Sequence, residues 1–213
     1  VPPSLIRRAT DYFVKAAVSR VYGSTEVPVT TVGALHDVEH AADTDGRSGI
    51  AEIKVVEGEI RAKGPQMLVG YLHPDDETAA FDGEGFFRTG DLGRLTEGGH
   101  LVVTGRAKDI IIRNGENISP KEVEDVLVGH PGVAEIAIVG VPDERTGERA
   151  CAVIVPSDQP PPDVAGMRAL LEEHGVARFK APERVEIWDA LPKNDAGKVL
   201  KHRIRAALTE EQA

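Results

Sequence analysis

The spacing of hydrophobic positions changes twice along the chain. Leu5, Ile6, Ala9, Tyr12 and Phe13 recur at helical spacing behind Pro2-Pro3-Ser4, which predicts a helix of about three turns. An apolar strand over 17–21 follows and runs into the polar turn Tyr22-Gly23-Ser24-Thr25-Glu26, a layout that presents side chains at a sheet edge. Between 50 and 105 short β-like runs take over, at 50–56, 59–63, 67–71, 92–95 and 101–104, with glycine-rich turns between them. This stretch predicts a small, distorted antiparallel β-barrel or sandwich.

After Gly105 the pattern changes again. Ile110-Ile111-Ile112 is a short apolar strand, Arg113-Asn114-Gly115-Glu116 a turn, and Ser119-Pro120-Lys121-Glu122 a helix start. Serine at the cap, proline at the first helical position and glutamate three residues after the cap predict a capping box, with Val123, Val126 and Leu127 as the buried face. Gly129 and Pro131-Gly132 stop that helix. Strands at 133–139 and 150–155 flank the turn Pro142-Asp143-Glu144. A helix at 164–174, a strand at 184–188 and a last helix at 199–208 complete a compact α+β domain of about 100 residues. The domain break falls near 105–108, dividing the chain into 1–106 and 107–213.

Composition narrows the class. The 213 residues carry 25 Lys+Arg against 35 Asp+Glu, a net charge of −10, which argues against nucleic acid as a partner because counterion-releasing contacts need a basic face. Hydrophobic residues at 41% and charged residues at 28% are those of a folded globular chain. One cysteine excludes an intramolecular disulfide and fits a reducing compartment. No run of about 18 apolar residues suggests a transmembrane segment, so a cytoplasmic location is expected. The start at Val1-Pro2-Pro3-Ser4, without an initiator methionine, reads as a piece of a longer protein.

Some candidate chemistry is weak. His36 and His40 are spaced i, i+4 and would pair on a metal if helical, but His36-Asp37-Val38-Glu39-His40 lacks the glutamate placement of a zinc-protease helix; solvated surface histidines are the plainer reading. Asp43-Thr44-Asp45-Gly46 starts like a calcium loop, but Arg47 occupies a ligand position and no glutamate closes it. Cys151 lies inside an apolar strand and reads as a small core residue.

Four other stretches place polar groups beside glycine at element ends: 22–26, Thr89-Gly90-Asp91, Gly105-Arg106-Ala107-Lys108-Asp109 and Pro192-Lys193-Asn194-Asp195-Ala196-Gly197-Lys198. Singly, each reads as a turn. In this order and spacing, together with 58–71 and 115–124, they resemble the second half of the acyl-adenylate-forming enzymes, the group containing acyl-CoA synthetases, luciferases and the adenylation domains of peptide synthetases. The resemblance covers essentially the whole chain. It implies an α+β architecture: the end of a large N-terminal domain with its small β-barrel, then a separate, mobile C-terminal domain.

The resemblance also implies roles. Tyr22, beside Gly23, would lie against adenine, Thr25 would bond a phosphate oxygen, and Glu26 would help hold Mg²⁺, which prefers hard oxygen ligands. Asp91 would accept hydrogen bonds from both ribose hydroxyls, as an ionised carboxylate can, and Arg106 would contact the ribose side with its permanently charged, planar donor set. Lys108 matches the hinge position, whose φ/ψ change would swing the small domain. Lys198 would bring a substrate carboxylate against the α-phosphate of ATP, a compact cation between two repelling anions.

Carried over in full, a carboxylic acid first attacks ATP to give an acyl-adenylate and pyrophosphate. The small domain then turns, and a thiol, that of coenzyme A, expels AMP. The expected substrate is a small aliphatic or alicyclic acid. The remaining alternatives are a peptide-synthetase adenylation domain, whose acceptor is a carrier-protein thiol, and a non-catalytic nucleotide-binding module. Retention of Lys198 argues against the last.

Two departures stand out. The family's glycine-, serine- and threonine-rich phosphate loop and most of its acyl pocket are absent, so these residues alone are expected to be inactive and to need the rest of an N-terminal domain. Val55-Val56-Glu57-Gly58-Glu59 runs strand into strand where the family usually carries a longer loop, which reads as a loop missing from the sequence. Arg47-Ser48-Gly49 reads as a second such place.

Overall fold

The structure is a computed structural model that describes residues 1–34, 37–77 and 79–210. The chain divides into two compact units, Val1–Lys108 and Asp109–Ala213.

The first unit opens with helix α1, Pro3–Tyr12, whose second turn buries Ile6 while Leu5, Tyr12 and Phe13 stay exposed. The expected strand at 17–21 is displaced: β1 is Val21–Tyr22, so Tyr22 stands within a strand rather than after one. It pairs with β2, Thr31–Val32, and β2 pairs in turn with β3, Arg47–Ser48. Helix α2, Val38–Ala41, lies between β2 and β3 in the chain and is capped by Asp37.

Strands β4, Glu52–Val56, and β5, Glu59–Lys63, form a hairpin in which Val56 pairs directly with Glu59. Glu57 and Gly58 both take positive φ, 52° and 83°, the requirement of the two-residue turn whose twist matches that of the strands. The abrupt passage at 55–59 is therefore a tight hairpin, and no longer loop is needed to close it. Helix α3, Pro74–Glu77, precedes β6, Phe87–Leu95, and β7, Leu101–Arg106. Residues 67–71, expected as a strand, lie outside the sheets, whereas β6 begins five residues earlier than its apolar signal at 92–95.

The expected barrel does not close. The sheets run β1-β2-β3 and β4-β5-β6-β7, with a single isolated bridge, Arg47 to His100, between them. Two-residue strands offer too few ladder bonds to continue the meander, so its edges stay open.

The second unit is a three-layer domain. Its sheet has the order β10-β11-β8-β9, with β12 pairing on β11. Here β8 is Ile111–Arg113, β9 Glu116–Ile118, β10 Val133–Asp143, β11 Gly147–Pro156 and β12 Arg184–Ile187. Period-two alternation along β10 and β11 separates two apolar clusters. Ile138, Ala150, Ala152 and Ile154 face helices α4, Pro120–Leu127, and α5, Val164–Glu173. Ala137, Val139, Cys151 and Val153 face helix α6, Lys201–Glu210. Both faces being covered, the central strands read as continuous hydrophobic runs. Cys151 is fully buried, and burial pushes its thiol up to about 11, which makes it the core residue its sequence context indicates.

The start of α4 departs from the capping box. Ser119 sits at the N-cap with extended backbone and Pro120 follows, but the serine makes no side-chain capping bond to the helix. Glu122 instead turns to Lys180, 2.6 Å away.

Candidate functional site

In the first unit three of the expected residues meet. Asp91, mid-strand in β6, is 5% exposed. Its Oδ2 accepts from the Tyr22 hydroxyl at 2.9 Å and its Oδ1 from Arg106 Nε at 2.8 Å. Strand pairing produces this meeting, because Asp91 and Arg106 are directly opposed on β6 and β7. Upstream, Thr89 donates to the Ile60 carbonyl at 2.7 Å and accepts from the Asp91 backbone N–H at 3.1 Å, fixing the strand where the carboxylate projects. Burial, then the neighbouring Asp91 charge, push the Tyr22 hydroxyl well above the usual phenol range, opposed in part by a bond from Thr89. Tyr22 is therefore a neutral donor at any physiological pH.

The turn after Tyr22 is tightly built. A Cβ on Gly23 would lie 2.6 Å from the Val29 nitrogen, so only glycine fits there. Val27 is fully buried against Ala62 and Phe87, and Glu26 is tied through its carbonyl, which accepts from the Leu68 N–H at 2.8 Å. This leaves Thr25 exposed and the Glu26 carboxylate half-buried, 3.5 Å from the Tyr71 hydroxyl. Burial, then the Glu26 charge, raise the Tyr71 hydroxyl. Thr25 and Glu26 thus share a turn with Tyr22 but, among the described residues, make no hydrogen bond or ion pair with Asp91 or Arg106. Lys108 is exposed in the 3-10 turn Ala107–Asp109, at the end of the first unit.

In the second unit Lys198 is exposed on a closed loop. Lys193 and Val199 form an isolated bridge. The Asn194 side chain accepts from the Lys198 backbone N–H at 2.8 Å, and the Asn194 N–H donates to the Lys198 carbonyl at 3.0 Å. Gly197, with φ at 78°, turns the chain. The loop ends before α6 starts at Lys201, so Lys198 is held by its backbone while its ammonium makes no ion pair among the described residues.

One feature of the second unit carries no sequence motif. A cavity of about 440 Å³ is lined by Arg113, Arg168, Arg178, Phe179, Ala181 and Glu183. Arg113 is held by Glu183, with bonds at 2.8 and 2.9 Å. The basic-aromatic run Arg178-Phe179-Lys180 was the available signal; Arg113 and Arg168 join it only through the fold.

Comparison with known proteins places the chain among its relatives. Residues 122–198 match the model of the AMP-binding enzyme C-terminal domain. The 2,3-dihydroxybenzoate-AMP ligase of Bacillus subtilis is 43% identical over 155 residues, covering 72% of this chain and 29% of that protein. The medium-chain fatty-acid–CoA ligase of Escherichia coli is 37% identical over 220 residues, covering 96% of this chain and 38% of its own length. The solved o-succinylbenzoate CoA synthetase of Bacillus subtilis, in complex with its acyl-adenylate intermediate, superposes with a TM-score of 0.86 at 30% identity, over 96% of this chain and 44% of that one. The chain therefore spans well under half the length of these relatives. Residues 122–198 thus carry the AMP-binding enzyme C-terminal domain, and the chain as a whole is similar to part of the acyl-adenylate-forming ligases.

Proposed function

We propose that this chain is the C-terminal part of an ATP-dependent carboxylic acid:CoA ligase, with residues 1–106 closing the large nucleotide-binding domain and 107–213 forming a mobile domain hinged at Lys108. The observation that carries the reading is the Tyr22, Asp91 and Arg106 cluster. It places an aromatic ring, a carboxylate with both oxygens aimed at donors, and a guanidinium at one point of a sheet, the donor set that an adenine ring and a ribose diol need.

On binding nucleotide, the ribose hydroxyls would replace the Tyr22 hydroxyl and Arg106 Nε as donors to Asp91, freeing the tyrosine ring to lie against the base. Thr25, exposed on the same turn, would donate to a phosphate oxygen. Glu26 fits a Mg²⁺ ligand: it is a half-open hard oxygen donor, and this ion keeps several waters and bonds mainly to phosphates. Bound there, Mg²⁺ would neutralise phosphate charge. Lys198 would sit between the attacking carboxylate and the α-phosphate, stabilising the charge that accumulates in the transition state. Rotation at Lys108 would then withdraw it and admit the thiol. For coenzyme A, the cavity of Arg113, Arg168, Arg178 and Phe179 offers cations for phosphate groups and a ring for a base. We propose that the acid is small and aliphatic or alicyclic, that the protein acts in the cytoplasm, and that residues 1–213 alone are inactive.

A second reading, an aryl-acid adenylating enzyme that loads a carrier-protein thiol, is favoured by the 43% identity to an AMP ligase. The test is acid-dependent pyrophosphate exchange by the parent protein, followed by addition of coenzyme A. Exchange plus release of AMP on adding coenzyme A supports the ligase. Exchange without thioester supports the carrier-loading reading, and no exchange with any carboxylic acid overturns both.

A further inference from the structure

Outside the nucleotide cluster, the first unit contains a convergence of ligating side chains that the ligase reading does not use. Asp37 caps α2, its Oδ1 accepting from the His40 backbone N–H at 3.2 Å and lying 2.6 Å from His40 Nδ1. Its Oδ2 lies 2.9 Å from Nε2 of His100, at the turn between β6 and β7. The two imidazoles stack with centroids 4.2 Å apart and planes 11° from parallel. One ligand atom from each of the three residues lies within 4.8 Å of the others. His36, which the sequence spaces to pair with His40, lies outside the described residues; the described partner of His40 is His100, 60 positions away.

We propose that Asp37, His40 and His100 form a binding site for a borderline divalent cation such as Zn²⁺, which ties α2 to the β6–β7 turn. Two imidazole nitrogens and a carboxylate oxygen are the donor set such ions favour, and three protein ligands leave a fourth, water-filled position in a tetrahedral site. The site is preorganised on one side. His100 is 3% exposed, its backbone N–H donates to Thr96 Oγ1 at 3.0 Å and its carbonyl accepts from the Thr96 N–H at 2.9 Å. It is open on the other: the side chains of His40 and Asp37 are 42% and 25% exposed, which gives an ion access from solvent.

The present nitrogen–oxygen distances of 2.6 and 2.9 Å are those of hydrogen bonds. With metal–ligand bonds of about 2.0–2.2 Å, tetrahedral neighbours stand roughly 3.3–3.5 Å apart, so an ion needs the carboxylate to draw back from both imidazoles and the two rings to tilt out of their parallel stack, a movement that the open side of the site at His40 and Asp37 allows. The ion would take the place of the hydrogen bonds that now link Asp37 to the edges of the two rings.

The experiment is titration of the chain with Zn²⁺ in competition with a chromophoric chelator, alongside His40→Ala and Asp37→Asn. The proposal expects one ion per chain at micromolar or lower Kd, a rise in the melting temperature of the first unit with Zn²⁺, and at least a tenfold weaker site in each variant, since loss of even an outer-shell partner costs about 10–100-fold. His40 lies part-exposed on a four-residue helix, so its replacement leaves the fold in place, and tyrosine circular dichroism checks this. Absence of stoichiometric binding, or an unchanged Kd in His40→Ala, overturns the proposal.

Discussion

The two units solve the problem of burial differently. Among the described residues, 21 of the 30 buried hydrophobic ones belong to the second unit and pack on both faces of one sheet, and none of the buried polar or charged ones lies there. In the first, six of the nine buried apolar residues fall into two clusters of three, and Ala51, Ile60 and Leu101 belong to neither. All seven buried polar or charged residues lie there: Arg20, Thr30, Thr31, Thr44, Asp45, Asp91 and His100. Twelve of the 15 large exposed hydrophobics are in the first unit as well. A domain with two filled apolar faces is self-sufficient and can offer one cation on a rigid loop. A unit that spends its interior on paired charges holds a polar ligand site but draws less stability from apolar burial.

The largest effect that would sharpen this contrast is a core truncation. Ile138→Ala in β10, fully buried between the sheet and α4, should cost about 2–5 kcal/mol. Ile6→Ala, in a cluster of Ile6, Ala41 and Ala42, should cost less. Trp188, the single tryptophan, reports the second unit, and Tyr12, Tyr22 and Tyr71, the only tyrosines, report the first. Equal losses at the two positions would break the comparison.

Next in size, Asp91→Ala leaves the Tyr22 hydroxyl and Arg106 without their acceptor, a loss of about 1–3 kcal/mol for the buried groups. It should appear in the tyrosine signal and leave Trp188 unchanged. In acid, the first unit should melt first. Bonds from His40 and His100 hold Asp37 down to about 2, and Lys54, backbone N–H groups and Arg61 hold Asp82 lower still. Both carboxylates are depressed, so their stabilisation is present above the unfolded value near about 3.9 and is lost as pH falls through the folded values. In the second unit bonds from Thr146 hold Asp143 down and bonds from Arg113 hold Glu183 down, but burial raises Glu124 despite its bond from Lys201, so acidification relieves a cost there that offsets part of the loss. An acid titration following both fluorophores checks the order. Smallest in stability is Gly197→Ala, where φ of 78° imposes strain of about 1 kcal/mol; its larger consequence should be slower adenylation through displaced Lys198.

Much of the second unit was legible because alternation and helix signals are local: 133–139 and 150–155 lie inside β10 and β11, and the helices are shifted by at most two residues at each end. The first unit was less so. Its barrel failed to close because two-residue strands leave no periodic trace, and β6 hid Thr89-Gly90-Asp91 inside a strand that reads as a turn. Tyr22, Asp91 and Arg106 were singled out as candidates through the resemblance, but their mutual bonds depend on strand register, which no local spacing encodes. The same holds for the pairing of His40 with His100.

The most direct test of the account uses Lys198→Ala in the parent protein, with the two half-reactions measured separately. The variant should lose about 10²–10³-fold or more in adenylate formation while making thioester from preformed acyl-adenylate at the wild-type rate, with its melting temperature unchanged. Equal loss in both half-reactions, or adenylation at the wild-type rate, would contradict it.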